Sequence, residues 1–289
     1  MTSPRPGPST RVRVSAVEDE RIQVRSDVLA TEEPMEIRIV DGGGTQQTIA
    51  ITMRTPGCDF ELAVGFLFGE GLIAGRGDIA RVDYCSDPGL ADDERYNVVT
   101  VTLTGPMPRL PGLDRRFLTT SACGVCGKES LDALRVRGCA VVAAGPIVGP
   151  DLVCSLPDRL RAGQKVFTKT GGLHAAGLFA ASGELIAVRE DVGRHNAVDK
   201  IVGWALFHDK IPAQDRILMV SGRTSYEIMQ KALVAGIPFV AAVSAPSSLA
   251  VELGRDFGMT LVGFLRGSRF NVYAGEERIA VLAGTAGGT

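Results

Sequence analysis

The chain has no apolar stretch able to cross a membrane. Its longest uncharged run, 232–251, is broken by Pro238 and Pro246 and carries Ser244, Ser247 and Ser248 in its second half, which predicts a buried strand followed by a turn. Net charge is nearly absent. The 31 Lys and Arg against 33 Asp and Glu leave a formal −2, so no global field draws the protein to nucleic acid or to a lipid surface. Histidine is scarce, and the three present read His174-Ala-Ala, His195-Asn-Ala and His208-Asp-Lys. A deaminase-type zinc site needs His-x-Glu beside its cysteines, and that motif is missing. There is no Walker motif and no Gly-x-Gly-x-x-Gly, so a bound ligand need not be a standard ATP or NAD. Closely spaced cysteines are also few: of Cys58, Cys85, Cys123, Cys126, Cys139 and Cys154, only 123 and 126 form a near pair. A closed structural zinc site would need a second pair. Six cysteines spread over 289 residues do not make a secreted disulfide framework, and residues 1–13 are Pro/Ser/Arg-rich without an apolar run. These features predict a reduced, cytoplasmic protein. Hydrophobic content of 45% and charged content of 22% are ordinary for a globular chain.

What is present centres on 119–128, Thr-Thr-Ser-Ala-Cys-Gly-Val-Cys-Gly-Lys. A helix pattern follows at 128–135, with Leu131 and Leu134 on one face, so both thiols fall in its entry turn. Free N–H groups and the positive dipole end there favour a thiolate, the reactive form of cysteine. Spacing alone leaves a sulfur carrier, a dithiol oxidoreductase and a metal site open.

Along the chain, residues 1–15 read as a disordered tail. Strands at 35–39 and 48–53 predict a hairpin, with Ile49, Ile51 and Met53 on one face. Thr55-Pro56 opens a helix to about Phe68. A strand follows at 97–103, then a Pro/Gly-rich stretch at 104–114 that marks a boundary between a β-rich subdomain, 16–115, and an α/β domain, 116–282, with a flexible end at 283–289. Residues 139–143 read as a short strand and 158–162 as helix. A second hairpin spans 175–189, and Asn196 is placed to cap a helix over 197–207. The last third reads β-α-β-α-β: strands 216–220, 239–243 and 260–264, and helices 225–235 and 249–257, the first with a Thr224/Glu227 capping box. The predicted fold class is therefore α/β with added α+β elements, its strands parallel with right-handed crossovers.

Ligands of such sheets bind outside the carboxyl ends of the strands. Here those ends carry Ser221-Gly222-Arg223, Ser244 to Ser248 and Arg266 to Arg269, whose N–H groups, hydroxyls and guanidinium groups suit phosphates. Asp59, Glu61, Glu190 and Asp191 are candidate carboxylates that no spacing pairs.

Several blocks are specific enough to carry a resemblance. They are Ile51 to Gly57, Asp59 to Phe66, all of 119–128, Thr170 to His174, Arg189 to Lys200, Val220 to Arg223, Gly236 to Glu252 and Gly263 to Tyr273. Over nearly all of 30–280 the sequence resembles the formate dehydrogenase accessory sulfurtransferase family (FdhD). The resemblance implies a cytoplasmic, homodimeric sulfur carrier with a cytidine-deaminase-like sheet, flanking helices and a smaller N-terminal β-rich subdomain. Such proteins take persulfide sulfur from a cysteine desulfurase and pass it to a bis-molybdopterin guanine dinucleotide cofactor destined for formate dehydrogenase. The family's persulfide cysteine matches Cys123 and its partner matches Cys126. Its cofactor-binding segment matches Phe264, Leu265, Arg266, Gly267, Ser268 and Arg269. No metal, nucleic acid polymer or membrane is implied. Cys58 departs from the family, which often has an acidic residue there.

Overall fold

Twelve strands and six helices occur among the residues described by the computed structural model: 5–86, 89, 94–108, 134, 139–142 and 145–280. The chain is of mixed α/β class, as expected. Cys123, Cys126 and the helix predicted at 128–135 lie outside the described residues, apart from Leu134, which is buried in the main core.

β1 (Ser9–Glu18) and β2 (Arg21–Ala30) form an antiparallel hairpin paired along its whole length. This corrects the disordered tail expected through residue 15. Val12, Val14 and Ala16 alternate with polar residues, and that period of two makes a strand once β2 supplies backbone partners.

A second sheet, in the order β4-β3-β6-β5, contains β3 (Glu33–Val40), β4 (Gln46–Arg54), β5 (Ile79–Tyr84) and β6 (Val98–Leu103). The predicted hairpin is β3 and β4, but its facing differs from expectation. The register shifts between Ile37 and Arg38, which pair with Ala50 and Thr48. The extra residue on β4 turns Ile49 and Ala50 both inward, and from there the alternation is inverted. Ile51 and Met53 are exposed, while Arg54 is completely buried.

α1 (Asp59–Gly69) starts three residues after Pro56, because Gly57 (φ 116°) and Cys58 (φ 56°) occupy left-handed backbone that no helix continues.

The main sheet has the order β12-β11-β10-β9-β7-β8. β7 (His174–Ala180) and β8 (Leu185–Asp191) are the second predicted hairpin. β9 (Arg216–Val220), β10 (Phe239–Ala242) and β11 (Thr260–Arg266) run parallel, as the β-α-β-α-β pattern required. β12 (Arg269–Ala274) folds back antiparallel on β11. Both faces are covered. Ile217, Met219, Phe239, Ala241 and Val262 pack with α2 (Pro150–Gly163). Leu218, Val220, Val240, Ala242 and Leu261 face the other way, toward α4 (Arg194–Phe207), α5 (Tyr226–Val234) and α6 (Ser248–Asp256). α3 (Phe167–Thr170) is a single turn between α2 and β7. This main core runs without interruption through α1 into Met35, Ile37, Ile39, Val99 and Val101 of the smaller sheet.

Three local expectations fail for identifiable reasons. Residues 139–142 form no strand; the Val142 N–H instead donates to the Phe257 carbonyl at 2.9 Å, tying this segment to the end of α6. Asn196 does not cap α4, which begins at Arg194 after Gly193. Its side chain is claimed by tertiary partners, donating to the Met53 carbonyl (2.8 Å) and to Asp191 Oδ1 (3.0 Å). The Thr224/Glu227 capping box is absent as well: Ser225 holds the N-cap position of α5, and its hydroxyl is engaged elsewhere.

Candidate functional site

Because β9, β10 and β11 are parallel, the helices that follow β8, β9 and β10 all begin at one end of the sheet. The amino ends of α4, α5 and α6 therefore add their positive dipoles there. The three turns singled out in the sequence meet at this end through backbone contacts. The Thr224 N–H donates to the Ala245 carbonyl (3.3 Å), and the Thr224 carbonyl accepts from the Ser247 N–H (2.9 Å). The Phe264 N–H donates to the Ser244 carbonyl at 3.2 Å. Gly263 permits that approach, since a Cβ there would lie 3.1 Å from Ser244 O and 3.0 Å from the Tyr273 ring. Ser247 caps α6, its Oγ accepting from the Ala250 N–H.

The turn after β11 is a hairpin tip with Arg266 and Arg269 paired across it, and both guanidinium groups are exposed. Gly267 and Ser268 form the tip, with Gly267 at φ 56°. Phe264 is 43% exposed and sits at φ 51°, a conformation that costs a non-glycine residue energy. Leu265 points the other way: it is 1% exposed and packs in the α2-side core. The segment thus presents an aromatic ring, two cations and a hydroxyl on a strand pinned by one buried leucine.

On the other side of β10, Ser221 ties β9 to β7. Its N–H donates to the Ala175 carbonyl (3.0 Å), and its Oγ accepts from the Ala175 N–H (2.9 Å). The His174 ring lies along Gly222, where an added Cβ would be 3.2 Å from Nδ1. Burial, followed by the neighbouring Arg194, lowers the His174 pKa, so its imidazole is neutral at pH 7. His195, on the first turn of α4, places Nε2 2.9 Å from Ser225 Oγ and 3.7 Å from Glu227 Oε2. Burial foremost, then Arg194, pushes its pKa down to about 4, against the opposing pull of Glu227. His195 is therefore an uncharged hydrogen-bonding group. Thr224 Oγ1 is buried there without a partner among the described residues.

The four candidate carboxylates are committed elsewhere. Asp59 is buried against Arg54 and accepts from Tyr84 Oη (2.9 Å). Glu61 forms a bidentate pair with Arg189 at 2.5 and 2.7 Å, joining α1 to β8. Glu190 accepts the Val166 and Phe167 N–H groups that open α3. Asp191 is fully buried and 2.6 Å from Lys200 Nζ. These groups hold the sheet end in shape. The left-handed Phe264 and the His195–Ser225 bond had no signal in the sequence, since each depends on a neighbouring strand or helix.

The FdhD/NarQ family profile matches residues 30–280. A protein of Streptomyces coelicolor called sulfur carrier protein FdhD is 53% identical over 94% of this chain and 96% of its own length. Proteins of the same name from Mycobacterium tuberculosis (50% identical, 92% of this chain and 97% of theirs) and Sulfurisphaera tokodaii (45%, 93% and 98%) are also similar. The crystal structure of a formate dehydrogenase accessory protein from Desulfotalea psychrophila superposes with a TM-score of 0.70, at 24% identity over 94% of this chain and 99% of that one, and so shares the fold. With the family profile spanning the two larger sheets and every turn at the carboxyl ends of the parallel strands, the chain belongs to the FdhD/NarQ family.

Proposed function

We propose that the chain is a cytoplasmic sulfur carrier serving a formate dehydrogenase. The observation that carries this reading is the identity of half or more, over nearly the whole chain, to proteins called sulfur carriers. The matched region includes Cys123-Gly-Val-Cys126. In this reading the Cys123 thiolate attacks the outer sulfur of a persulfide on a cysteine desulfurase. The donor's S–S bond breaks, its cysteine leaves as a thiolate, and Cys123 becomes the persulfide with no net redox change. Cys126 assists release. Its thiolate attacks the inner sulfur of Cys123 and hydrosulfide departs to the acceptor. The Cys123–Cys126 disulfide that remains is reopened by a dithiol reductant.

The acceptor is a bis-molybdopterin guanine dinucleotide held as cargo. The exposed Phe264 ring suits a flat heterocycle, and Arg266, Arg269 and the helix starts suit its phosphates. Ser268 and Gly267 allow close approach, and Leu265 anchors the segment. The partners this reading implies are the desulfurase, the client dehydrogenase and a second copy of the chain.

The test is intact mass after incubation with a pyridoxal-phosphate cysteine desulfurase and cysteine. A gain of ~32 Da that Cys123→Ala abolishes is expected. Full maturation of a client formate dehydrogenase by Cys123→Ala would overturn sulfur transfer and leave a cofactor-holding chaperone. Reduction of insulin at an oxidoreductase's rate would favour a dithiol enzyme.

A further inference from the structure

A cavity of about 460 Å³ opens at the same end of the main sheet, on the α2 side. Its walls include Arg161, Gln164, Phe167, Gly172, His174 and Ser221. Gln164 is 5% exposed, yet only its backbone is bonded: its N–H donates to the Arg161 carbonyl, and its carbonyl accepts from Thr168. Its side-chain amide has no partner among the described residues. Its nitrogen and oxygen reach the solvent of the cavity, so the amide is available to bond a group held there.

The surrounding groups define that partner's chemistry. The Arg161 guanidinium lies 3.9 Å over the Phe167 ring, a stack that leaves its N–H edge free. Ser221 Oγ already accepts from Ala175, so its O–H is left to donate. Among the described residues no carboxylate lines the cavity, and the nearby Glu190 and Asp191 are bound to α3 and to Lys200. A Cβ on Gly172 would meet nothing closer than 3.9 Å, so that wall is open to approach. The polar groups are therefore mostly donors around a single cation, with Phe167, Leu173 and Val192 as apolar floor.

We propose that this cavity is a second anion site, taking a phosphoryl or carboxylate group carried on a small apolar body. Arg161 supplies the countercharge, and the Gln164 amide and Ser221 hydroxyl supply hydrogen bonds. The site lies on β7 and β9, two to three strand spacings or about 10–14 Å from β11; it shares no residue with the 266–269 tip, while its Ser221 belongs to the 221–223 turn. It does not depend on the sulfur-carrier reading.

The test is calorimetric titration of the full chain with phenyl phosphate, benzoate and inorganic phosphate. Saturable binding that weakens with salt is expected, reduced about tenfold or more in Arg161→Ala and Gln164→Leu. Preference for phenyl phosphate over benzoate identifies a phosphoryl ligand, and the reverse a carboxylate. Inorganic phosphate binding as tightly as phenyl phosphate removes the apolar body from the proposal. Undiminished affinity in both variants, or no binding of any probe, overturns it. Should thermal melting show Gln164→Leu unfolded, the exposed Arg161 carries the test alone.

Discussion

Gly65 of α1 and Gly203 of α4 meet where the two helices cross. A Cβ on Gly65 would lie 1.9 Å from the Asp199 carbonyl oxygen, and one on Gly203 would lie 1.9 Å from that of Glu61. Backbone touches backbone on both sides, so neither position has room for a methyl group. This contact joins the smaller sheet's helix to the helix whose first turn carries His195.

Gly203→Ala is accordingly expected to destabilise the protein by about 2–4 kcal/mol, since the obstruction is backbone and cannot rotate away. Urea denaturation followed by circular dichroism measures the loss. A change below 0.5 kcal/mol, about what a surface substitution gives, would show that the helices slide apart freely.

Arg54 is fully buried between Asp59, Glu33 and the Asn97 side chain. Arg54→Met removes the cation but leaves the Asp59 carboxylate buried, so a loss of about 3–5 kcal/mol is expected. Arg54→Met combined with Asp59→Asn should recover a large part of it. Thermal melts of the single and double variants decide whether the cost is the stranded charge or the lost packing.

His195 should give the protein a defined acid limb. Its folded pKa is about 4, below the ordinary 6.5, so the unfolded chain takes up the proton first. Its contribution is fully present above pH 6.5 and is lost as pH falls from 6.5 toward 4. The ceiling of that loss is about 3 kcal/mol. In His195→Asn, stability measured over this interval should fall less steeply than in the unaltered chain; identical slopes would remove His195 as the source.

Phe264 and Leu265 are adjacent and should respond in opposite ways. Phe264→Gly removes an exposed ring and relieves a left-handed φ, so stability should hold or rise by up to about 1 kcal/mol. Client maturation should drop if the ring contacts cargo. Leu265→Ala opens a buried site and should cost about 2–4 kcal/mol. Paired melting curves and formate dehydrogenase activity assays separate the exposed ring from the buried anchor.

Much of this arrangement was legible in the chain. The β-α-β-α-β order and the parallel strands were written in runs of a few residues. So was the grouping of 221–223, 244–248 and 266–269 at one sheet end, because parallel strands force it. The hairpin at 9–30 was obscured by arginine and proline content, although its alternation was present. The inversion along β4 was not legible: a bulge arises from pairing with β3, and Ile49-Ala50 looks no different from its neighbours. Nor was the fate of Asn196, whose side chain suits a cap as well as it suits Met53 and Asp191.

By itself, the sequence determined the elements, their order, the parallel topology of the last third, the Cys123/Cys126 pair and the kinship of the chain. These follow from periodicity, capping and long specific motifs, all local in the chain. Only the tertiary structure decided which faces turn inward, that His195 stands neutral against Ser225, that Phe264 is exposed while Leu265 is buried, and that the Gln164 amide faces an open cavity. Each of these rests on contacts between segments far apart in sequence, where packing and desolvation choose among partners that residue spacing leaves equivalent.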